Sequence, residues 1–255
     1  MKLQVPSLVL AFVAVAIGSA AGGHTAVAGP SADNTKRGAP IVGQMVVLRG
    51  GKASWGPAHT ERATVKVGQR KCTIAAATPL AALIHSSPRA LRLRDYGSCS
   101  SRAADSSGLF VRSMYGFTNR GLDGWVYKVG RRLATAGAAD PAGPFGNGRL
   151  RRSSRVVWFY CVFEEGSCQR SLEIARRKIG NEVLVTVKGF DDAGKGDPVA
   201  DATVAARRIR GKGVAETAKT GSDGSTSLRL ERGRYYLRAT KRGLIRSFDE
   251  RVTIP

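Results

Sequence analysis

The sequence has few of the residues on which most catalytic and metal sites depend. Its 255 residues include only 3 His and 4 Cys, and these do not fall at the spacing of zinc ligands. Acidic residues are also scarce, since 19 Asp and Glu stand against 41 Lys and Arg, and the formal net charge is +22. No nucleophile, general base or acid lies in a recognisable catalytic motif. We therefore expect a protein that is not an enzyme and that carries no metal or cofactor.

Apolar residues are present in the amount that a folded protein needs. They make up 42% of the chain, although aromatic residues contribute only 7%. A chain of this length and composition can form packed cores in one or two domains, which excludes a disordered tail.

The first 28 residues have the order of a secretory signal peptide. Met1 and Lys2 precede an apolar run at residues 8–17, and the small-residue sequence Ala26-Val27-Ala28 follows. An uncleaved membrane anchor is the alternative, but Pro6 and Gly18 interrupt an apolar stretch that is already short for a membrane span. We expect cleavage after residue 28 and a secreted, extracellular or envelope-associated product without an integral membrane segment.

Export implies an oxidising compartment in which four cysteines can pair, and four cysteines allow three connectivities. Cys161 and Cys168 flank a short Glu- and Gly-containing reversal and are therefore the favoured pair. Cys72 and Cys99 then pair by elimination. We prefer two disulfides to a catalytic or zinc role because no His lies at ligand spacing.

Residues 29–42 are predicted to be a flexible leader, and residues 43–170 an α+β domain. Strands are predicted around residues 45–48 and at 63–67, 109–117, 124–129 and 155–161. Thr78 as N-cap and Pro79 at the first helical position mark one short helix, which buries Leu80, Leu83 and Ile84 and ends before Pro88. The order of two strands, one helix and three strands predicts a β-grasp domain.

Residues 171–255 lack helix signals and show short alternating segments separated by Gly and Asp. They predict a small all-β sandwich, and the whole chain is therefore expected to be mostly β. The turn Ser222-Asp223-Gly224 supplies the left-handed position that a tight connection needs. Strands are predicted at residues 182–188, 202–207, 214–219, 225–230, 234–240 and 247–254.

Two segments resemble known families. The segments at residues 108–117, 124–130 and 156–160, with Gly124-Trp125-Val126-Tyr127 as the most specific element, resemble bacterial relatives of the transcobalamin C-terminal domain over residues 43–168. The resemblance implies a noncatalytic extracellular β-grasp module; in vertebrate members the matching domain covers one face of cobalamin. Residues 180–255 look like a carboxypeptidase regulatory-like domain of the prealbumin type, which implies a spacer, stalk or adhesion unit.

Four aromatic residues form the candidate ligand surface, because flat rings supply apolar contact at little entropic cost. They are Trp125, Tyr127, Tyr115 and Phe117, to which Trp55 is a further candidate. A core role for Trp125 is the alternative. If these rings do contact a ligand, the protein is an extracellular binder of a small, corrinoid-like molecule.

The basic excess gives a second candidate site. The densest run contains Arg149, Arg151, Arg152 and Arg155 and predicts an anion-binding patch. Export argues against nucleic acid as a partner, whereas anionic envelope polymers, an extracellular protein or a small ligand are accessible. Arg-rich composition without a binding role is the alternative.

The acidic loop from Asp191 to Asp201 raises the question of calcium. Its carboxylates do not have the spacing of an EF-hand, and solvated acidic turns are common. We assign no metal site there. The main hypothesis from the sequence is thus a secreted, non-enzymatic binding or adhesion protein.

Overall fold

A computed structural model describes residues 38–211 and 213–255. The predicted signal peptide and most of the predicted leader lie outside these residues. The described chain is mostly β, as predicted, with one short α-helix and one 3-10 helix among its strands. In the part of the chain that the structure describes, no helix has the length and apolarity to cross a membrane.

The first half of the described chain contains ten strands and both helices. The helices are α1 (Pro79–His85) and a 3-10 turn (Ala103–Ser106). The strands are β1 (Val42–Val47), β2 (Ala53–Ala58), β3 (Ala63–Val67), β4 (Arg70–Ile74), β5 (Arg92–Asp95), β6 (Leu109–Met114), β7 (Phe117–Thr118), β8 (Gly124–Val129), β9 (Arg132–Leu133) and β10 (Arg155–Cys161).

A five-stranded mixed sheet organises this half, in the order β2-β1-β10-β8-β9. Its two central strands, β1 and β10, run parallel, and the outer neighbours β2 and β8 pair antiparallel to them. The helix α1 packs on one face of the sheet, where Leu80 and Leu83 join a core that includes Val46, Trp125 and Trp158. The sheet thus has a central parallel pair and is covered by one helix, and the β-grasp assignment stays a prediction.

The helix begins as its sequence predicts. The Thr78 hydroxyl accepts a hydrogen bond from the Ala81 amide, and Pro79 occupies the first turn. Leu80 and Leu83 are fully buried, whereas Ile84 is only partly buried.

Three predictions for this half are wrong in detail, and the first is the number of strands after the helix, which is six instead of three. Four strands precede the helix instead of two, because β2 and β4 are short strands rich in Gly, Pro, Lys and Arg that lack a clear apolar alternation. The strand predicted at residues 109–117 is broken after Met114 by a turn in which Tyr115 and Gly116 have φ values of 53° and 85°. The chain then reverses into β7, so Tyr115 lies in a turn instead of a strand.

The second half is a sandwich of two four-stranded sheets. Its strands are β11 (Ser171–Ile179), β12 (Glu182–Phe190), β13 (Gly196–Pro198), β14 (Thr203–Arg208), β15 (Glu216–Lys219), β16 (Ser225–Arg229), β17 (Gly233–Thr240) and β18 (Glu250–Ile254). One sheet joins β11, β13 and β16 to β12, and the other has the order β15-β14-β17-β18. Their inner faces share one apolar core, which contains Val185, Leu228, Tyr235 and Leu237.

The sequence misses strand β11 altogether. Its first residues, Leu172 and Ile174, are buried, but the five residues from Ala175 onward are exposed and largely basic. It is nevertheless held by antiparallel pairing with β12 along its whole length, from Ser171 to Ile179. Backbone pairing, which side-chain alternation does not report, therefore forms this strand.

The two halves share an interface, and residues 38–255 form one compact unit. Strand β10 is buried on both faces: Val156, Trp158 and Tyr160 face the helix side, and Val157 and Phe159 face the other side. There they pack with Ile245 and Phe248 of the second half. The second half thus covers the second apolar face of this strand.

The side chain of Lys128 links the two halves at this interface. Its side chain is 0% exposed, and its ammonium group donates hydrogen bonds to the carbonyl oxygens of Phe190 and Asp191 at 3.0 and 2.9 Å. The Asp192 carboxylate lies 3.2 Å away and also accepts a hydrogen bond from the Cys168 amide. One buried cation of β8 therefore joins the β12–β13 connection of the sandwich to the first half.

Candidate functional site

All four cysteines form disulfides in the predicted pairs. One joins Cys72 to Cys99, and the other joins Cys161 to Cys168. Cys161 ends the central strand β10, so its disulfide fixes the segment that leads from the first half into the second. No free cysteine remains in the described residues, and these side chains are structural.

Trp125 and Tyr127 do not form a ligand surface. Each is only 6% exposed and belongs to the core beneath α1. The Trp125 indole donates to the Phe117 carbonyl and the Tyr127 hydroxyl donates to the Ala136 carbonyl, so their polar atoms are satisfied inside the protein. Burial, with the charge of Asp140, raises the pKa of Tyr127 well above its usual value. The core role that the sequence left open is the one that the structure shows.

The other two aromatic candidates, Tyr115 and Phe117, are partly exposed and have different neighbours. The Phe117 ring packs against Tyr160, with ring centres 6.0 Å apart. Tyr115 lines a cavity of about 240 Å³ together with Trp55. The structure therefore separates the four rings into a buried pair and two rings at the margin of the core.

The predicted arginine patch is also divided. Arg149 donates to the Pro141 carbonyl, and Arg155 pairs with Glu250 and lies over the Phe248 ring at the interface between the halves. Arg151 and Arg152 are exposed. The run is thus a surface loop that leads into an interface residue, and it does not form one anion site.

The aspartates of the acidic loop have partners other than a metal. Asp191 accepts from the Lys195 amide, Asp192 pairs with Lys128, and Asp197 pairs with Arg170. Over residues 38–211 and 213–255, no group of three or more His, Cys, Asp or Glu side chains is arranged to hold a metal ion.

The outer face of sheet β15-β14-β17-β18 carries a group of side chains that come together only through strand pairing. Arg207 on β14 lies directly opposite Tyr236 on β17, and Tyr236 lies directly opposite Arg251 on β18. Arg234 is two residues before Tyr236 on the same strand and shares its face. We call Arg207, Arg234, Tyr236 and Arg251 the arginine–tyrosine face.

Strand periodicity explains why these residues point outward. Tyr235, Leu237 and Ala239 are buried in the sandwich core, so the alternate residues Arg234 and Tyr236 are directed away from it. Neighbouring strands are about 4.8 Å apart, which places the backbones of Arg207 and Arg251 about 10 Å apart on either side of the tyrosine.

Trp55 extends this face from the first half of the chain. It lies in the edge strand β2, is 39% exposed, and meets Tyr236 edge to face with ring centres 5.5 Å apart. The Arg251 guanidinium lies 5.5 Å from the centre of the Tyr236 ring. A cavity of about 280 Å³ is lined by Trp55, Arg207, Arg208, Gly211, Gly213, Tyr236, Arg238 and Asp249.

Positive charge on the arginine–tyrosine face is largely uncompensated. Arg238 beside it donates two hydrogen bonds to Asp249, both 2.7 Å long. By contrast, within the described residues no carboxylate lies within 4.0 Å of Arg207, Arg234 or Arg251. Exposed guanidinium groups with free donors, next to two aromatic rings, are suited to anions that carry a flat or ring-shaped group.

Part of this face is visible in the sequence. The alternation in Arg234-Tyr235-Tyr236-Leu237-Arg238 indicates that two arginines and one tyrosine share an outward face. No local sequence pattern indicates the cross-strand register. None indicates that Trp55, about 180 residues earlier in the chain, contacts this face.

Comparison of the chain with protein-family models, with curated proteins and with solved structures found no match.

Proposed function

We propose that this protein is a non-enzymatic binding protein of the cell envelope or exterior, and that its ligand is an anionic sugar polymer. The polymer binds on the arginine–tyrosine face and Trp55. Its acidic groups pair with the guanidinium groups, and its sugar rings lie against the aromatic side chains.

The observation that carries the proposal is the cross-strand row Arg207–Tyr236–Arg251. Two exposed cations flank one half-exposed aromatic ring on a rigid sheet, so a chain of repeating acidic units can contact both cations at once. Repeated weak contacts along a polymer add up to useful affinity without a deep pocket.

Placement outside the cell rests on two supports. Disulfides between all four cysteines are typical of oxidising compartments. The signal-peptide pattern at residues 1–28 predicts export. An exported basic protein meets acidic glycopolymers and membrane surfaces but little nucleic acid.

The test is binding of the purified protein to polygalacturonate, with neutral dextran, inorganic polyphosphate and a single-stranded oligonucleotide as comparators. The double substitution Arg207→Ala/Arg251→Ala is expected to weaken polygalacturonate binding at least about tenfold and to reduce its salt dependence, because two ion contacts are lost. Trp55→Ala is expected to weaken binding to polygalacturonate but to leave binding to polyphosphate, which has no sugar ring, unchanged.

Arg176→Ala/Arg177→Ala is the matched control. It removes the same charge from exposed positions on β11, in the other sheet of the sandwich. If this control weakens binding as much as the face variant, net charge alone explains the interaction and the proposal is wrong. Preferential binding of the oligonucleotide, or no binding to polygalacturonate, also contradicts it.

A corrinoid-like small ligand, the alternative from the sequence, has less support. It required Trp125 and Tyr127 to border a pocket, whereas both rings are buried with their polar atoms bonded to backbone carbonyls. The β-grasp arrangement is compatible with the transcobalamin-like resemblance, which stays a prediction.

A further inference from the structure

A second concave site lies where the two halves meet. This junction cleft has a volume of about 760 Å³, within the range of small-molecule sites. Its apolar lining comes from both halves and includes Met45, Val157, Leu172, Ile174, Phe190 and Phe248. None of these residues belongs to the arginine–tyrosine face.

The charged lining of the cleft is unbalanced. Four arginines, Arg131, Arg132, Arg155 and Arg246, face two glutamates. Both glutamates already have partners: Glu173 receives two hydrogen bonds from Arg131, of 2.6 and 2.7 Å, and Glu250 pairs with Arg155.

Arg246 is the most deeply buried of the four arginines that line the cleft. Its side chain is 6% exposed, and its Nη2 donates to Asp249 at 2.6 Å. Asp249 is itself 4% exposed and is shared with Arg238, so two arginines compete for a single carboxylate and the group carries a surplus positive charge. Burial lowers the pKa of Arg246 to about 10, and the charge of Asp249 opposes this shift only in part. An anion bound in the cleft would offset the free-energy cost of burying this guanidinium by its attraction to the positive charge.

The position of Arg246 is fixed by the backbone on both sides. The Ile245 amide donates to the Arg170 carbonyl, the Leu172 amide donates to the Ile245 carbonyl, and the Ser247 amide donates to the Ala239 carbonyl. The segment is therefore tied to both sheets of the sandwich. A guanidinium held in this way is organised in advance for a ligand, because little entropy remains to be lost on binding.

Arg132 adds an uncommitted charge at the same cleft. It is exposed, it lies over the Phe145 ring at 4.9 Å, and no carboxylate of the described chain is within 4.0 Å of it. The cleft thus joins an apolar lining to two guanidinium groups that lack a full complement of negative charge.

We propose that the junction cleft binds a small amphipathic anion, a phosphate or carboxylate on an apolar body. The anionic group binds at Arg246 and is attracted by Arg132, and the apolar body packs against the phenylalanines of the cleft. The cleft shares no lining residue with the cavity at the arginine–tyrosine face, and neither proposal depends on the other.

The experiment uses the purified protein and 1-anilinonaphthalene-8-sulfonate, a fluorescent amphipathic anion. The bound dye is displaced by dodecyl phosphate or dodecyltrimethylammonium, each below its micelle concentration, or by dodecanol below its solubility limit. Dodecyl phosphate is expected to compete at least about tenfold more strongly than the other two, which share its chain but lack a negative charge. Equal competition by dodecanol would show that the cleft recognises only the chain, and would overturn the proposal.

Substitutions locate the site. Arg246→Met is expected to weaken dodecyl phosphate binding at least about tenfold, and Arg132→Met about threefold, because each removes a cation from the cleft. Arg132 is exposed, so its variant decides the question if Arg246→Met fails to fold. Arg242→Met removes an exposed arginine from the same loop, outside the cleft lining, and should leave affinity within about twofold. A loss as large in Arg242→Met as in Arg132→Met, or no loss in Arg132→Met, contradicts the assignment.

Discussion

Single buried polar residues in this protein have well-defined partners, and Lys128 is the clearest example. Burial lowers the pKa of Lys128, and the nearby Asp192 carboxylate opposes that shift. Two carbonyl oxygens and this carboxylate receive its charge. Loss of the ammonium group would leave the Asp192 carboxylate without its cation, which costs more than the attraction itself contributes.

Gly224 gives a prediction at this scale. It has a φ of +74°, as its predicted turn requires, and a Cβ placed there would lie 2.6 Å from the Val187 carbonyl oxygen and 3.0 Å from the Val199 amide. We expect Gly224→Ala to reduce the free energy of unfolding by clearly more than the roughly 1 kcal/mol that a left-handed alanine costs. Denaturant unfolding measures the loss.

Gly68→Ala is the control, because Gly68 has a φ of +60° but no atom within 4 Å of its Cβ position. The difference between the two variants isolates the collision with strand β12 from the backbone strain that both share. Equal losses in the two variants would show that the backbone around residue 224 accommodates the Cβ atom without any further loss of stability.

Among the elements, strand β11 also contacts the first half of the chain. Its Glu173 carboxylate accepts two hydrogen bonds from Arg131, which lies in the turn between β8 and β9. Hydrogen bonds from Arg131 hold the pKa of Glu173 below its usual range. Since the unfolded state then binds the proton more strongly, this contribution to stability is complete above the ordinary glutamate pKa of 4.5 and is lost as the pH falls through the lowered value.

We therefore expect the Glu173→Gln variant to be less stable than the parent at neutral pH and to approach it in acid. Both side chains are more than one-third exposed, so the difference at pH 7 should be about 1 kcal/mol or less. Unfolding curves at pH 7 and below pH 4 measure it. Glu164→Gln, in the exposed turn between Cys161 and Cys168, serves as the control. A Glu173→Gln difference that does not change with pH would contradict the ionic explanation.

Elements also show what sequence patterns can and cannot predict. Strands β8 and β10 have the predicted bounds, because Trp125, Tyr127 and Trp158 alternate or cluster strongly. Strand β11 was missed because its exposed end is basic and its stability comes from pairing with β12. The burial of Trp125 could not be decided from the strand alone, because an aromatic side chain has the same local pattern whether it faces a core or a ligand.

At the scale of the whole molecule, the two halves have separate sheets but a common interface. The apolar contact of Phe159 with Ile245 and the buried Lys128 both lie between them. The sequence predicted both halves but neither contact, because the apolar second face of β10 indicates a neighbour without identifying it. The candidate sites share this limit, since Trp55 with Tyr236, and Arg132 with Arg246, meet only in the folded chain.

The shared interface predicts cooperative unfolding. We expect a single calorimetric transition for the purified protein, because neither half can leave without exposing β10 and the Lys128 ammonium. Lys128→Met should destabilise the protein by about 3 kcal/mol or more, since it removes the buried cation that pairs with Asp192, and should separate the two halves into distinct transitions. Lys188→Met, at an exposed position on β12, should do neither. Two transitions in the unaltered protein would refute the coupling.

The parallel pair β1–β10 has a consequence for how the molecule is made. Val46 pairs with Trp158, so the centre of the first sheet joins segments separated by more than a hundred positions of chain. Closing so long a loop costs conformational entropy before the contact contributes any stabilisation. Such topologies therefore fold slowly. A chain that emerges from its N-terminal end must hold β1 without its central partner until residue 161 has appeared. This sheet can therefore form only late in synthesis, because β10 follows β1 by more than a hundred residues.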